Sequence, residues 1–554
     1  MHLKRGIAVK SLRWPLLLLL CSLLYLPAVA ETWFVRSDGG SRYSSKQPKG
    51  RCDGTADKAD PGHGVNQHCA FNDVRYLWTD GSYTTNATQA AFPSYGWIGG
   101  SGDTYIIRGG PWRVGQNGPN PKDGFGLAGD PYDAGAPDPP SGTAEHHTRI
   151  LGENYASCTT ENKTQLFGGF GVSAVLNLRS AYIDIQCIEL TRRSDCIRMG
   201  VPAYPTNCKT DFPLDDYASN GIVTSTETHD VLLQDLWIHG FTSRGIIGPI
   251  GGLVTAQRVV IAYNGGAGWD FDDGNGTPMI HAVLNLDHVT VEWNGCNQVY
   301  PGGGAASCYG QSSGGYGDGI GTPAHTCITA HVDHSVFRYN TQDGFDFLHN
   351  DSGDCSLSIT NSSAYGNNGA QFKWGGHDSP TTFSNNTVVG NCRRLSAPFS
   401  DQPMSFNRNL GDFCRAEDAI AFNLSNGATV TFTENSIVSY SPTTIDVDCG
   451  DAACPSATLI FRNNVVLGYD NRATYHGGGQ PGGPGGFYFG HPIGHIVRSN
   501  NVYFGVRNMK CNTGEKCVDP KFIREPRFSR EQDLDNFDFH LSSSSPVQAG
   551  ARVQ

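Results

Sequence analysis

From about residue 150 onward, apolar and polar residues alternate in short runs, and the runs recur. His229 opens HDVLLQDLWIHGFTSRGI, Ala256 opens AQRVVIAYNGGAGWDFDD, Ile328 opens ITAHVDHSVFRYNTQDGFDF and Leu357 opens LSITNSSAYGNNGAQFKW. Further copies follow as TFSNNTVVGN, TFTENSIVSY, LIFRNNVVLGY and HIVRSNNVYFG. Each copy holds a strand of β-branched or aromatic residues, an Asn or Asp corner, a second strand, another Asn corner and a third strand. The hydrophobic period is two rather than 3.6, which predicts strands and argues against helices. Asn and Asp suit the corners because they tolerate left-handed backbone and bond their own main chain.

A coil of roughly twenty to thirty residues per turn, with two or three strands in each turn, predicts an all-β fold: a right-handed parallel β-helix. Inward side chains of each rung pack on the rungs above and below, and corner asparagines stack. The interval between Asn264 and Asn340 holds one more rung, around Asn294, and a glycine-rich excursion from Pro301 to Gly315. Residues 31–150, with TWFVRSDGGS and GDTYIIRGGPW, read as an N-terminal cap and first turns with long loops. Residues 151–510 form the main solenoid, and 511–554 a C-terminal cap. A propeller or sandwich fits less well, because the repeats add one rung at a time with a common corner.

Composition sharpens this picture. The 554 residues include 70 Gly and 30 Pro but only 5 Met, which suits tight corners and disfavours helical bundles and disordered tails. The net charge of -12 argues against nucleic acid or anionic membranes as partners. Residues 1–30 have the pattern of a secretory signal: Lys4, Arg5, Lys10 and Arg13, an apolar run from Pro15 to Leu26, then Ala28-Val29-Ala30 before Glu31. The mature chain is expected to be secreted or periplasmic, monomeric and free of membrane insertion. Of 17 cysteines, Cys21 lies in the leader and the rest form an even set suited to disulfides. Proximity suggests Cys52–Cys69, Cys196–Cys208, Cys296–Cys308, Cys392–Cys414, Cys449–Cys454 and Cys511–Cys517 as stabilisers of the loops. Cys327 lies eight residues before Ser335 and Cys355 eight before Ser363, the same station on successive rungs. A rung-to-rung bridge Cys327–Cys355 follows, with Cys158–Cys187 by elimination.

The candidate chemistry lies in aligned rungs. With Asn264 and Asn340 as a common corner, NGGAGWDF and NTQDGFDF coincide, so Asp270 and Asp346 share a station. The intervening rung ends in Gly317-Asp318-Gly319-Ile320-Gly321, which stacks Asp318 on Asp343. In the next rung Phe372-Lys373 replaces Phe345-Asp346. Stacked carboxylates repel unless neutralised, and an oxygen-only cluster suits a hard cation such as calcium. The same aspartates equally serve as corner caps in Asx turns.

GDGIG, NTQDGFDF and AYGNNGAQFKWGG resemble the active-site rungs of the calcium-dependent pectate lyases of polysaccharide lyase family nine, over roughly residues 316 to 392. The resemblance implies a pectin-lyase-like solenoid in which Asp318, Asp343 and Asp346 hold Ca2+ and Lys373 is the catalytic base. Gln342 stands where the family has the first Asp of DDGFD, offering an amide oxygen with one negative charge fewer. The implied reaction is β-elimination on a uronic-acid polysaccharide, pectate first: the proton at C5 is removed and the glycosidic oxygen at C4 expelled. A lysine near a divalent cation loses its proton more readily, so alkaline pH is expected to favour turnover. Trp374 is a candidate to stack on a sugar, and Arg393, Arg394, Arg408 and Arg415 are candidates to hold a substrate carboxylate.

Other readings remain open in the sequence. Asp270, Asp272 and Asp273 could be the paired carboxylates of a polygalacturonase-like glycoside hydrolase. His331, Asp333 and His334 loosely resemble the acid–base cluster of alginate epimerases on the same fold. A non-catalytic glycan-binding or surface β-helix would follow if the Asp and Lys stations faced the core.

Overall fold

The computed structural model describes residues 30–79, 96–115, 135–169, 171–194, 215–272, 274, 276–298, 305–308, 317–350, 355–375, 380–390, 418–439, 443–449, 453–468, 487–489, 492–506, 509–525 and 537–551. Residues 1–29, within the expected leader, and the expected pairs Cys196–Cys208 and Cys392–Cys414 lie outside the described residues.

Three long parallel sheets of 13, 12 and 10 strands run the length of the molecule, and each strand pairs with its counterpart one turn earlier and one turn later. The fold is a right-handed parallel β-helix. One turn consists of Cys327–Asp333 in the first sheet, Val336–Arg338 in the second and Phe345–Phe347 in the third. The following turn repeats it with Leu357–Thr360, Ser363–Tyr365 and Phe372–Trp374. The first sheet begins with Thr32–Gly40, paired in register with Thr104–Ile107.

Alternation explains the core. Val332, Phe337, Phe345 and Phe347 point inward and are almost wholly buried, as are Ile359, Ala364, Phe372 and Trp374 one rung on. Each large apolar side chain so placed stabilises the coil by about 1.5–3 kcal/mol relative to leaving it in water. The corners turn on single left-handed residues: His334 at φ 46°, Asn361 at 49° and Asn385 at 57° after the first sheet, and Tyr339 at 56° after the second. Behind that second corner runs a buried amide ladder. Asn264 Nδ2 donates to Asn294 at 2.9 Å, Asn294 to Asn340 at 2.9 Å, Asn340 to Asn367 at 2.9 Å, and Asn367 to Gln371 Oε1 at 2.9 Å. The rung at Asn294 is therefore a member of the stack. A second ladder passes from Asn435 through Asn464 to Asn501, where Glu515 accepts the last amide at 2.9 Å. Unpaired amides at such depth would each cost about 1–3 kcal/mol, so the ladders hold the rung register.

Six disulfides join described residues: Cys52–Cys69, Cys158–Cys187, Cys296–Cys308, Cys327–Cys355, Cys449–Cys454 and Cys511–Cys517. Four were expected from proximity, Cys327–Cys355 from its shared station and Cys158–Cys187 by elimination. Cys296–Gln298 and Ala305–Cys308 pair as an antiparallel ribbon where the glycine-rich excursion leaves the coil. The C-terminal segment folds back on the outer face of the second sheet, packing Phe522, Phe539 and Val547 with Tyr365, Val389, Val438 and Leu467. Among the described residues no helix is long and apolar enough to cross a membrane.

Candidate active site

The third sheet carries the candidate chemistry on its outward face. Its ladder pairs Ile247 with Asp270, Asp270 with Gly321, Gly321 with Asp346, and Asp346 with Lys373. The expected stations are thus the observed ones, including Asp270 and Asp346 on one column. Glycine beside the aspartates is a packing requirement. A Cβ on Gly319 would lie 2.2 Å from the carbonyl oxygen of Gly344, and one on Gly344 would lie 2.5 Å from Asn367 Nδ2 of the amide ladder.

Asp318, Asp343 and Asp346 bring carboxylate oxygens within 4.8 Å of one another. Each also takes a main-chain N–H: Asp343 N donates to Asp318 at 2.9 Å, Ala370 N to Asp343 at 2.6 Å and Leu348 N to Asp346 at 2.8 Å. Lys373 Nζ, from the next rung, donates to Asp343 at 3.0 Å and to Asp346 at 2.8 Å. The sequence brought these four residues together, and the structure gathers them on one face.

Their electrostatics are those of a cluster with too much negative charge. Burial, and then the fields of Asp343 and Asp346, push the Asp318 carboxyl well above the usual carboxylate range. Burial raises that of Asp346 too, against the pull of Lys373. For Lys373, burial favours loss of the proton, but the attraction of Asp343 and Asp346 outweighs it and holds the ammonium above the ordinary lysine value. Lys373 is the counter-ion of the cluster, bonded to Asp343 and Asp346.

The donor set fits a hard cation. It is made of oxygens alone, its carboxylates repel one another, and Gln342, itself 3% exposed, has a buried Oε1 without a hydrogen-bond partner. Asp318, Asp343 and Asp346 could hold such an ion.

Trp374 is a correction. It is 1% exposed and stacks on Phe422 at 4.8 Å and Phe383 at 5.7 Å, inside the coil. Neighbours on a strand face opposite ways, so the residue after an outward Lys373 must point inward. It contacts no ligand on the outer face. Arg393, Arg394, Arg408 and Arg415 lie outside the described residues, as does Asp273.

Asp270 is 6% exposed, and its Oδ2 accepts Arg244 Nε at 3.0 Å while its Oδ1 accepts the Asp272 amide at 3.0 Å. It is therefore an ion-paired carboxylate. Arg244 escaped the sequence reading. Setting SRGII beneath QDGFD would have placed it at the Asp343 station. His331 is exposed on the first sheet, and Asp333 and His334 form their own pair at 2.8 Å at the following corner. That cluster is on a different face from Lys373. Asp287, His288 and His334 also gather within 4.8 Å, with the two imidazoles stacked at 4.8 Å and 3°.

No family model matches the chain, and no curated protein matches it in sequence. Among solved structures it is similar to pectate lyase Pel9A, with 12% identity, 95% of this chain and 92% of that chain covered, and a TM-score of 0.35. It is also similar to the A-module of the Azotobacter vinelandii mannuronan C-5 epimerase AlgE4, with 13% identity, 76% and 91% coverage and a TM-score of 0.37. An alginate lyase from a Paenibacillus species gives 14% identity, 72% and 92% coverage and a TM-score of 0.28.

Proposed function

We propose that the chain is a secreted polysaccharide lyase that cleaves a uronic-acid polymer, pectate first, by β-elimination. The observation that carries this reading is the buried Asp318–Asp343–Asp346 cluster with Lys373 bonded to two of its members, on the outward face of a parallel β-helix.

Asp318, Asp343 and Asp346, with Gln342 beside them, would hold calcium. The ion would offset the repulsion between enzyme and substrate carboxylates and stabilise charge developing on the substrate's carboxylate, a Lewis-acid role. Lys373 supplies the base. Its amine takes the proton from C5, the C5–H electrons form the C4–C5 double bond, and the C4–O bond breaks toward the glycosidic oxygen, which leaves with a proton from solvent. Lys373 serves this step only as the free amine, and Asp343 and Asp346 oppose that form while their charges are otherwise unbalanced. The ladder partnership with Asp346 keeps Nζ on the outer face, and the inward Phe372 and Trp374 on either side fix the rotation of the strand.

A hydrolase using Asp270 and Asp272 is less well supported, because Arg244 already neutralises Asp270. The test is ultraviolet absorbance of the unsaturated product from polygalacturonate at alkaline pH, with calcium or with chelator. A calcium-dependent rise lost in Lys373→Ala is the expected result. Reducing ends without unsaturated product would overturn the lyase in favour of a hydrolase.

A further inference from the structure

The outward face of the third sheet holds a second cation–carboxylate pair in line with the first. Arg244 starts two rungs before Asp318, on the same column: Ile246 pairs with Trp269 and Trp269 with Ile320, which aligns Arg244, Ala267 and Asp318. The Arg244 side chain reaches forward to the next rung. There Nε meets Asp270 Oδ2 at 3.0 Å, while Nη1 meets Ser243 Oγ of its own rung at 2.8 Å. The main-chain N–H of Arg244 is held by Asn220 Oδ1 at 3.2 Å. The guanidinium is therefore fixed in orientation, yet 23% of the side chain meets solvent against 9% for Asp270.

Between the two pairs lies Gly321, at the station shared by Asp270 and Asp346. With rungs about 4.8 Å apart, Asp270 and Asp346 are separated by roughly 10 Å along the coil axis. Gly321 contributes no side chain to that interval, and a Cβ there would stand 3.1 Å from Asp318 Oδ2. Gly321 is itself buried, so the face presents a fixed guanidinium, a rung whose station carries no side chain, and then the carboxylate–lysine cluster. Any ligand that touches both ends must run parallel to the axis.

We propose that Arg244 binds a carboxylate of the substrate, one or more sugars away from the one acted on, and so selects an extended polyuronate lying along the third sheet. The proposal rests on the lyase reading above. An acidic polymer approaching this face meets Asp270, Asp318, Asp343 and Asp346, and a guanidinium on the far side of the Gly321 rung offsets that repulsion at a second point. Arginine suits the task because its planar donor fork matches a carboxylate and stays charged at alkaline pH, where lysine begins to lose its proton. Asp270 and Ser243 act as positioning residues that hold the fork on the outward face of the third sheet.

The experiment is calorimetric titration of the full-length protein with galacturonate dimer and hexamer, in calcium at mildly acidic pH, where Lys373 stays protonated and the oligomers are bound without being cleaved, for wild type, Arg244→Gln, Arg244→Lys and Arg244→Gln/Asp270→Asn. The double variant removes both charges of the pair, so no buried carboxylate is left alone. The expected result is that hexamer binds more tightly than dimer in wild type, and that both Gln variants lose about tenfold of that advantage, about 1.4 kcal/mol. Arg244→Lys should regain part of it. Unchanged hexamer affinity in Arg244→Gln, in a protein that still forms unsaturated product, would overturn the subsite alone. A loss in Arg244→Gln that vanishes in the double variant would overturn it too, by assigning the effect to Asp270. Wild-type protein that neither binds nor cleaves any uronate oligomer would overturn the lyase reading and the subsite with it.

Discussion

Asp346 and Lys373 are ladder partners on adjacent rungs, and the ammonium of one sits 2.8 Å from the carboxylate of the other. Nζ is also 3.0 Å from Asp343, so one lysine balances two of three clustered carboxylates. A divalent cation and this ammonium would compete for the same oxygens. That competition links metal binding, the protonation of Lys373 and stability.

Lys373→Ala should lower turnover by about a hundredfold to ten-thousandfold, the usual contribution of a positioned base. It should also lower Tm without added metal, because two buried carboxylates lose their counter-ion. Calcium should then raise the Tm of the variant by more than it raises that of wild type. Thermal melts with calcium and with chelator check this; an equal shift in both proteins would mean that lysine and metal do not share the site.

Asp318 has a carboxyl pKa raised by burial and by its neighbours. A carboxyl whose pKa is higher folded than unfolded favours the fold when protonated and penalises it as pH rises through the folded value. Asp318→Asn keeps the oxygen that accepts the Asp343 amide and removes the charge. Its Tm should exceed that of wild type at pH 8 in chelator, with the advantage shrinking toward acid. Calcium affinity should fall on the order of tenfold or more, measured by titration calorimetry.

Trp374 packs against Phe422 and Phe383 inside the coil. Trp374→Ala should cost roughly 3–5 kcal/mol in denaturant melts, as for other buried large aromatics. Trp374→Phe should be mild, with KM unchanged. A raised KM in a Trp374→Phe protein of normal stability would restore a direct role in sugar binding.

Gly319→Ala drives a Cβ to within 2.2 Å of the Gly344 carbonyl oxygen, which belongs to the rung carrying Asp343 and Asp346. The backbone must move, so stability and activity should fall together, by at least about 1–3 kcal/mol in melts. The comparable change Gly427→Ala, with open space around its Cβ but φ at 94°, should cost stability and leave calcium affinity intact.

Much of this molecule was legible along the chain, because neighbours in a β-helix are near in sequence. A corner Asn or Gly every turn sets which residues stack, so the shared station of Asp270 and Asp346, the pairing of Asp318 with Asp343, the place of Lys373 and the Cys327–Cys355 bridge could all be read by alignment. Folding had to supply the rest. Trp374 was a candidate for sugar stacking, and its inward turn is apparent only once Lys373 is known to face out. Arg244 was missed because its partner, Asp270, lies one rung away. The charge state of Lys373 depends on desolvation and on carboxylates from two rungs acting at once. Stacking register is a local property of spacing, whereas facing, reach and protonation are sums over many rungs, and only the assembled coil evaluates them.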